Sequence, residues 1–263
     1  MQENPLQILR EDGGYTCIFR TLGCIGDSLS SGEFEATSEE GVKSYHDYYE
    51  YSWGQFIARR CGLKAYNFSR GGLTARYFHD FAGYGAFFAP ERVCQGYVVA
   101  LGVNDVTQLV RKSEVYDGFG SMDDVDFSNC HANKNTFVGQ YIRILQRIRM
   151  AQPKARIFLV TIPRQKNEEE EVAKMRERHA EFVRSLPNTF DFTYVIDLRK
   201  YLSTFLEEGC EKYFLGGHMS PMGYAYMATV ISTYMDWVIQ KYPDDFKQIP
   251  FLGKGVHNCL EKW

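Results

Sequence analysis

Short runs of mostly apolar residues recur along the chain, and longer stretches in which apolar positions repeat with helical spacing separate them. A run of roughly four to eight such residues is typical of a strand that is covered on both faces of a sheet. The runs occupy residues 22–25, 65–68, 97–101, 157–162 and 194–198. They predict five parallel strands, and residues 15–20 are a candidate for an additional strand ahead of the first.

The stretches between these runs predict helices. The clearest pattern places apolar side chains on one helical face, at Phe137, Tyr141, Ile144, Leu145 and Ile148. Pro153 follows this pattern closely, as expected of a residue that stops a helix. Residues 168–185 are strongly charged and predict a surface helix, and residues 221–240 predict a closing helix with Pro221 in its first turn.

Strands that alternate with helices predict an α/β fold, a three-layer α/β/α sandwich around a doubly wound, mainly five-stranded parallel sheet. No linker or repeat divides the chain, so we expect a single domain over residues 1–263 with its core at about 20–240. Residues 106–135 have few periodic apolar positions and predict an inserted loop or lid. Ligands of such sheets bind beyond the carboxyl ends of the strands.

Composition narrows the class of protein. The chain has 263 residues, 44% of them hydrophobic, which is enough for one sizeable core. The formal net charge is −3 and no long basic run occurs, which argues against a nucleic-acid partner. No stretch approaches the roughly 20 apolar residues of a membrane span.

Seven cysteines lie far apart and form neither a CxxC pair nor a zinc-ligand spacing. An odd number without a pairing framework favours a reducing, cytoplasmic location over a secreted or periplasmic one, which would require a leader already removed. The sequence also lacks a phosphate-binding fingerprint, so we expect neither a metal nor a cofactor.

Four short segments carry residues suited to acyl transfer. Ser28 ends the segment Gly26-Asp27-Ser28 directly after the first predicted strand, and His218 lies 190 positions later, before the closing helix. A serine hydroxyl becomes a nucleophile only when a base removes its proton, and a neutral imidazole can do so. The alternative role of Ser28 is to cap the next helix, and we expect Asp27 to brace the turn. The two intermediate segments are 67–74, with Gly71-Gly72, and 102–105, with Asn104.

In this order, the four segments resemble the GDSL family of serine esterases and lipases, also called SGNH hydrolases, from about residue 20 to residue 235. The resemblance implies a flavodoxin-like sheet of the SGNH-hydrolase type and a carboxylic ester hydrolase, an esterase or lipase-like acylhydrolase. It assigns Ser28 as nucleophile and His218 as base. It also assigns three oxyanion-hole donors: the backbone N–H groups of Ser28 and Gly72, and the amide of Asn104. Aligning the second segment by Asn67 and Thr74 selects Gly72 over Gly71.

One position departs from the family pattern. The family usually has an aspartate three residues before the histidine to orient the imidazole, whereas this chain has Leu215. A backbone carbonyl near Leu215 is one replacement, and the carboxylates of Glu211 or Asp197 are others. The remaining alternative is a site that binds its ligand without cleaving it.

Two aromatic-rich segments, 44–53 and 77–88, adjoin the candidate loops in sequence. Tyr49, Trp53 and Tyr77 are candidates for substrate binding, because rings with polar tips stack on sugars or acyl groups; core packing is the alternative.

The leading hypothesis is a serine esterase that acts on a small acyl ester, with an O-acetylated carbohydrate as one candidate substrate. The second is a catalytically impaired protein that binds carbohydrate or ester ligands. A third is a flavodoxin-like protein whose loop 27–32 binds a phosphate, which would leave Asn104 and His218 unexplained. The sequence does not specify an oligomeric state.

Overall fold

The computed structural model describes residues 4–9, 12–83, 87 and 89–252. The strands are β1 (Thr21–Gly26), β2 (Glu33–Thr37), β3 (Lys43–Asp47), β4 (Lys64–Ser69), β5 (Gly96–Ala100), β6 (Arg156–Val160), β7 (Thr193–Ile196), β8 (Phe214–Leu215) and β9 (His218–Met219). The helices are α1 (Ser28–Ser31), α2 (Trp53–Cys61), α3 (Ala75–Gly83), α4 (Val103–Val110), α5 (Phe137–Ala151), α6 (Glu170–Ser185), α7 (Leu198–Tyr201), α8 (Pro221–Lys241) and α9 (Pro243–Phe246).

The central sheet is parallel and has the strand order β4-β1-β5-β6-β7. The five predicted strands are confirmed, with small differences at their ends. The candidate strand at residues 15–20 is wrong, because Tyr15–Ile18 forms a 3₁₀ turn. The backbone N–H and the hydroxyl of Thr16 both donate to Asp236 Oδ1 of α8, each at 2.7 Å. These bonds tie the segment to a helix rather than to a strand.

The strands are apolar throughout because both of their faces are covered. Successive side chains of a strand point to opposite faces. In β5, Val98 packs into the core on one face, and Tyr97 and Val99 pack into the core on the other. Helices α2 and α8 cover the first face, and α3, α5 and α6 cover the second. The predicted three-layer sandwich is therefore confirmed.

Two antiparallel hairpins that the apolar pattern does not predict lie outside the central sheet. The first pairs β2 with β3 and is inserted between α1 and α2. The second pairs β8 with β9 through a turn at Gly216-Gly217 and leads into α8. Ser220 caps α8 by accepting a hydrogen bond from the N–H of Gly223, and Pro221 is the first residue of the helix, as expected.

The segment predicted as a loop or lid begins within α4 and continues through two 3₁₀ turns, Met122–Asp124 and Cys130–Ala132. Its rings pack against α5, where the centroids of Phe119 and Phe137 are 5.2 Å apart. The role of a lid stays a prediction, as does the single domain. Among the described residues, no helix combines the length and apolar character that crossing a membrane requires.

Candidate active site

Three predicted site residues follow three adjacent strands. Ser28 begins α1 directly after β1, Gly72 lies in the turn after β4, and Asn104 lies in α4 after β5. Because β4, β1 and β5 are neighbours in the parallel sheet, their carboxyl ends meet at one edge. The topology therefore gathers residues that lie up to 76 positions apart in the sequence.

A short, tightly capped helix presents Ser28. Asp27 is the N-cap, and its Oδ1 accepts a hydrogen bond from the N–H of Leu29 at 3.0 Å. Gly32 ends the helix in the left-handed region at φ 80°, which glycine adopts readily. The first N–H groups of a helix have no acceptor within it, so the N–H of Ser28 is available to a ligand. The Ser28 hydroxyl has no hydrogen-bond partner among the described residues.

The two other candidate oxyanion-hole donors lie side by side. The turn after β4 is closed by a bond from the N–H of Leu73 to the carbonyl of Arg70, and Gly72 occupies its third position at φ 70°. The side-chain Nδ2 of Asn104 donates to the carbonyl of Leu73 at 3.2 Å. A Cβ at Gly72 would meet nothing within 4 Å, so backbone conformation, rather than space, makes glycine necessary here.

Asp105 fixes the position of the Gly72 turn relative to Asn104. Its buried Oδ1 accepts hydrogen bonds from the N–H of Ala75 at 2.8 Å and from the hydroxyl of Tyr116 at 2.5 Å. These bonds join the start of α3 to α4, and so hold the Gly72 turn against Asn104. Burial raises the pKa of the Asp105 carboxyl to about 6, and the hydrogen bond from Tyr116 opposes that rise.

His218 lies on the β8–β9 hairpin, and two carboxylates flank its imidazole. Its Nε2 is 3.0 Å from Oε1 of Glu33, and its Nδ1 is 3.8 Å from Oε2 of Glu35. The ring of Tyr45 packs edge-on against the imidazole, with centroids 5.5 Å apart. The imidazole and the Glu33 side chain are 15% and 14% exposed, so water screens their interaction only in part.

The two carboxylates have different surroundings. Glu35 accepts hydrogen bonds from Nζ of Lys43 at 2.5 Å and from the N–H of Gly217 at 3.0 Å. These donors, first the one from Lys43, lower the pKa of Glu35, so it is ionised at neutral pH. Burial raises the pKa of Glu33, while the neighbouring His218 acts in the opposite direction.

The expected partners of the imidazole lie elsewhere. Asp197 caps α7 and accepts hydrogen bonds from Arg184 and from the hydroxyl of Thr161. Glu211 lies in the 3₁₀ turn Cys210–Tyr213 and is exposed, with no bond to His218. Leu215 is the strand partner of His218, but its carbonyl is not bonded to either ring nitrogen.

Glu33 and Glu35 were missed because they belong to a hairpin rather than to a loop of the sheet. The sequence does contain a pattern that is typical of a hairpin at this place. Polar and apolar residues alternate from Glu33 to Glu35, and Gly41 separates this stretch from the polar stretch that ends at Asp47.

The three aromatic candidates have three different positions. The hydroxyl of Tyr49 lies in the core beside Cys24. Trp53 is buried and donates from Nε1 to Oγ of Ser30 at 3.2 Å. Tyr77 is 47% exposed and borders a surface hollow beside Gly72. Of the aromatic residues in segment 77–88, Tyr84 and Phe88 lie outside the described residues.

A cavity of about 180 Å³ lies next to α1, between the ends of β1, β5 and β6 and the closing helix α8. Its wall is mostly apolar and includes Trp53, Val160, Met227 and Ile231. Asp27 also borders it, and Asp27 Oδ2 has no hydrogen-bond partner among the described residues. Within that same part of the chain, no group of three or more His, Cys, Asp or Glu side chains is arranged to hold a metal ion.

Comparison with known proteins gives one family and several solved structures. A family model described as GDSL-like lipase/acylhydrolase matches residues 24–226. No curated protein matches the chain.

The solved structures share the fold at low identity. A family two carbohydrate esterase from Clostridium thermocellum, in complex with cellohexaose, is 19% identical with a TM-score of 0.57, over 84% of this chain and 65% of that one. A possible lipase from Chitinophaga pinensis is 18% identical with a TM-score of 0.53, over 85% and 98%. The lipase/acylhydrolase from Enterococcus faecalis is 16% identical with a TM-score of 0.50, over 83% and 96%.

Proposed function

Because the chain belongs to the GDSL-like lipase/acylhydrolase family, we propose that it is a serine esterase in which Ser28 is the nucleophile and His218 the base. One observation carries the proposal. The nucleophile helix α1, the Gly72 turn and Asn104 share one edge of the sheet, and β9, which bears His218, packs against α1.

The proposed reaction has two halves. His218 takes the proton of the Ser28 hydroxyl as Oγ forms a bond to the carbonyl carbon of the ester. The N–H groups of Ser28 and Gly72 and the amide of Asn104 stabilise the resulting oxyanion. The imidazolium then returns its proton to the departing alcohol as the carbon–oxygen bond breaks. Water hydrolyses the acyl-enzyme by the same steps, with the Ser28 oxygen leaving.

A small acyl ester is the substrate class that the surroundings favour, and an O-acetylated carbohydrate is our proposed example. The apolar cavity beside α1 has room for a short acyl group. The rings of Tyr45 and Tyr77 are 54% and 47% exposed near His218 and Gly72, where a sugar could stack on them. A carbohydrate esterase of the same fold was solved with cellohexaose bound.

One observation favours a second function, in which the protein binds an ester or carbohydrate without cleaving it. Leu215 stands where the family usually has the aspartate that orients the imidazole. Binding of an acetylated oligosaccharide with no turnover would support this alternative.

Location is a separate proposal. All the cysteines within the described residues are free thiols, among them the buried Cys24, Cys61, Cys94 and Cys130. Such thiols behave as small apolar groups and persist under reducing conditions, so we propose a cytoplasmic protein.

Labelling with a fluorophosphonate probe and hydrolysis of an acetyl ester test the function together. We expect the probe to label the wild type. Turnover by Ser28→Ala should fall by at least about a thousand-fold, because the alanine methyl group cannot attack the ester as the serine hydroxyl does. Ser185→Ala, an exposed serine at the end of α6, is the control. Equal hydrolysis by Ser28→Ala and the wild type would exclude Ser28 as the nucleophile.

A further inference from the structure

The carboxylates beside His218 come from a part of the chain that the family pattern does not use. Residues i and i+2 of a strand point to the same face, so Glu33 and Glu35 share one face of β2. Their cross-strand partners on β3 are Asp47 and Tyr45. Tyr45 packs on the imidazole and Asp47 accepts a hydrogen bond from Ser31 of α1 at 2.5 Å. The hairpin therefore directs a charged face toward α1 and the histidine.

The backbone of Glu33 is held close to that of Ser28, the first residue of α1. The hydroxyl of Tyr224 lies 2.8 Å from the carbonyl of Glu33 and 3.2 Å from the carbonyl of Ser28. A single buried tyrosine of α8 thus bridges the two residues, which Gly32 brings together at the end of α1. Any movement of Ser28 relative to Glu33 would break this bridge.

The carboxylate of Glu33 lies between the imidazole and the Gly71-Gly72 turn. Its Oε1 is the atom 3.0 Å from Nε2 of His218. Its Oε2 lies only 2.1 Å from the position that a Cβ on Gly71 would occupy. A side chain at residue 71 would therefore displace Glu33, which gives Gly71 a role distinct from that of Gly72.

We propose that Glu33 is the positioning residue of His218 and takes the place of the aspartate that is absent at position 215. This inference rests on the proposed function. An N–H at Nε2 that donates to Glu33 fixes the ring orientation and the tautomer, as a carboxylate does in Ser-His-Asp sites. Nδ1 is then the nitrogen that remains basic, and it is buried with no hydrogen-bond partner among the described residues.

Glu35 has a supporting electrostatic role. It is 3.8 Å from Nδ1, and its bonds to Lys43 and Gly217 keep it in place. When Nδ1 gains a proton, the imidazolium lies between two carboxylates, which stabilise its charge. The charged and titratable groups that face the ring or its flanking carboxylates are Glu33, Glu35, Lys43, Tyr45, Asp47 and Asp27.

Hydrolysis by Glu33→Gln tests the inference. We expect kcat to fall by at least about a hundred-fold with KM changed less than about three-fold, because the neutral amide neither stabilises the imidazolium nor fixes its tautomer. Glu39→Gln removes the same charge from the exposed turn of the same hairpin and is the matched control. Glu33→Asp keeps the charge on a shorter side chain and should retain an intermediate rate.

Restoring the lost activity with a second substitution distinguishes a positioning role of Glu33 from a merely structural one. Leu215 is 48% exposed and is the strand partner of His218, so an aspartate is tolerated there and can reach the ring. We expect Leu215→Asp to restore at least about ten-fold of the rate lost in Glu33→Gln. Full activity in Glu33→Gln would overturn the proposal, and so would a loss that the aspartate does not reverse.

A nitrogen-15 NMR spectrum of the His218 ring separates this inference from the proposed function, because it requires no turnover. The proposal places the proton of the neutral ring on Nε2, which lies 3.0 Å from Oε1 of Glu33. We expect the ring nitrogen signals of the wild type and of Glu39→Gln to show this tautomer, and those of Glu33→Gln to change because the anionic acceptor is lost. His218→Asn identifies the resonance.

A wild type that shows this tautomer but neither hydrolyses the ester nor reacts with the fluorophosphonate would contradict the esterase and support the pairing. Identical ring signals in Glu33→Gln and in an active wild type would overturn the pairing alone.

Discussion

Asn104 links the framework of the site to its proposed chemistry. Its amide has two donor hydrogens, and the carbonyl of Leu73 accepts one of them at 3.2 Å. The second donor is available to an oxyanion, and the side chain carries no charge that would repel one. A partly buried amide held by one of its own donors is pre-oriented, which is the condition for electrostatic stabilisation of a transition state.

Replacing Asn104 with alanine should therefore slow turnover rather than weaken binding. We expect kcat to fall by about a hundred- to a thousand-fold with KM nearly unchanged, since the lost donor acts on charge that develops only in the transition state. Steady-state hydrolysis of an acetyl ester measures both constants, and Thr107→Ala, one turn along α4, is the control. A rise in KM with kcat preserved would place Asn104 in ground-state binding instead.

Sequence alone could predict some site residues and not others for a clear physical reason. Ser28, Gly72 and Asn104 each follow a buried strand, so local pattern and strand order suffice to gather them. Glu33 reaches His218 only because a polar hairpin folds back across α1. No local propensity encodes that packing, which depends on contacts between residues 185 positions apart.

The same distinction holds for the elements of the fold. The sheet was predictable because parallel strands covered on both faces are apolar along their whole length. The 3₁₀ turn Tyr15–Ile18 was mistaken for a strand because the deciding interaction, from Thr16 to Asp236, joins opposite ends of the chain. The alternation at residues 33–35 is too short to predict a hairpin with certainty, and tertiary contacts decide where the hairpin packs.

The β5–α4 connection depends on a glycine that leaves no room for a side chain. Gly102 has φ 141°, and a Cβ there would lie 2.4 Å from Nε2 of the buried His179. Gly118 has nearly the same φ, 145°, but nothing lies within 4 Å of its Cβ position. A side chain at residue 118 would therefore meet backbone strain alone, whereas one at residue 102 would meet both strain and steric overlap.

Alanine at each of these glycines should destabilise the protein by different amounts. Strain alone predicts a cost of about 1–3 kcal/mol for Gly118→Ala. Gly102→Ala should cost about 1–3 kcal/mol more, because His179 must also move in a close-packed core. Urea unfolding measures both free energies, and equal values would show that the histidine yields without cost.

At the scale of the whole molecule, buried ionisable groups couple stability to pH in opposite directions. Burial lowers the pKa of His79 to about 3 and that of His179 to about 4, so both are neutral in the folded state. Their unfolded forms take up protons below about pH 6.5, so acid destabilises the fold through them. Burial raises the pKa of Asp27 to about 7, which has the opposite effect.

Asp27→Asn isolates the contribution of that aspartate. Its folded pKa of about 7 exceeds the ordinary value of 3.8 for an aspartate, so its stabilising contribution is complete below about pH 4 and is lost as pH rises through 7. The asparagine keeps the N-cap oxygen and has no charge. We expect it to be more stable than the wild type by about 2–4 kcal/mol at pH 8, with the advantage gone near pH 4.

Chemical denaturation of both proteins at the two pH values checks this expectation, and the histidine contributions cancel because both proteins share them. Thr107→Ala, which removes no ionisable group, is the control. An advantage of the same size at pH 8 and pH 4 would contradict the assignment of the effect to ionisation of Asp27.

The order of the site residues along the chain has a consequence for biosynthesis. Ser28, Glu33, Gly72 and Asn104 all lie in the first 104 residues, whereas His218 follows 114 positions later. A polypeptide still attached to the ribosome can therefore complete the nucleophile turn, the carboxylate and the amide well before the imidazole has been made. Translation thus adds the base last of these residues, and the proposed hydrolytic activity begins only after residue 218 has been synthesised.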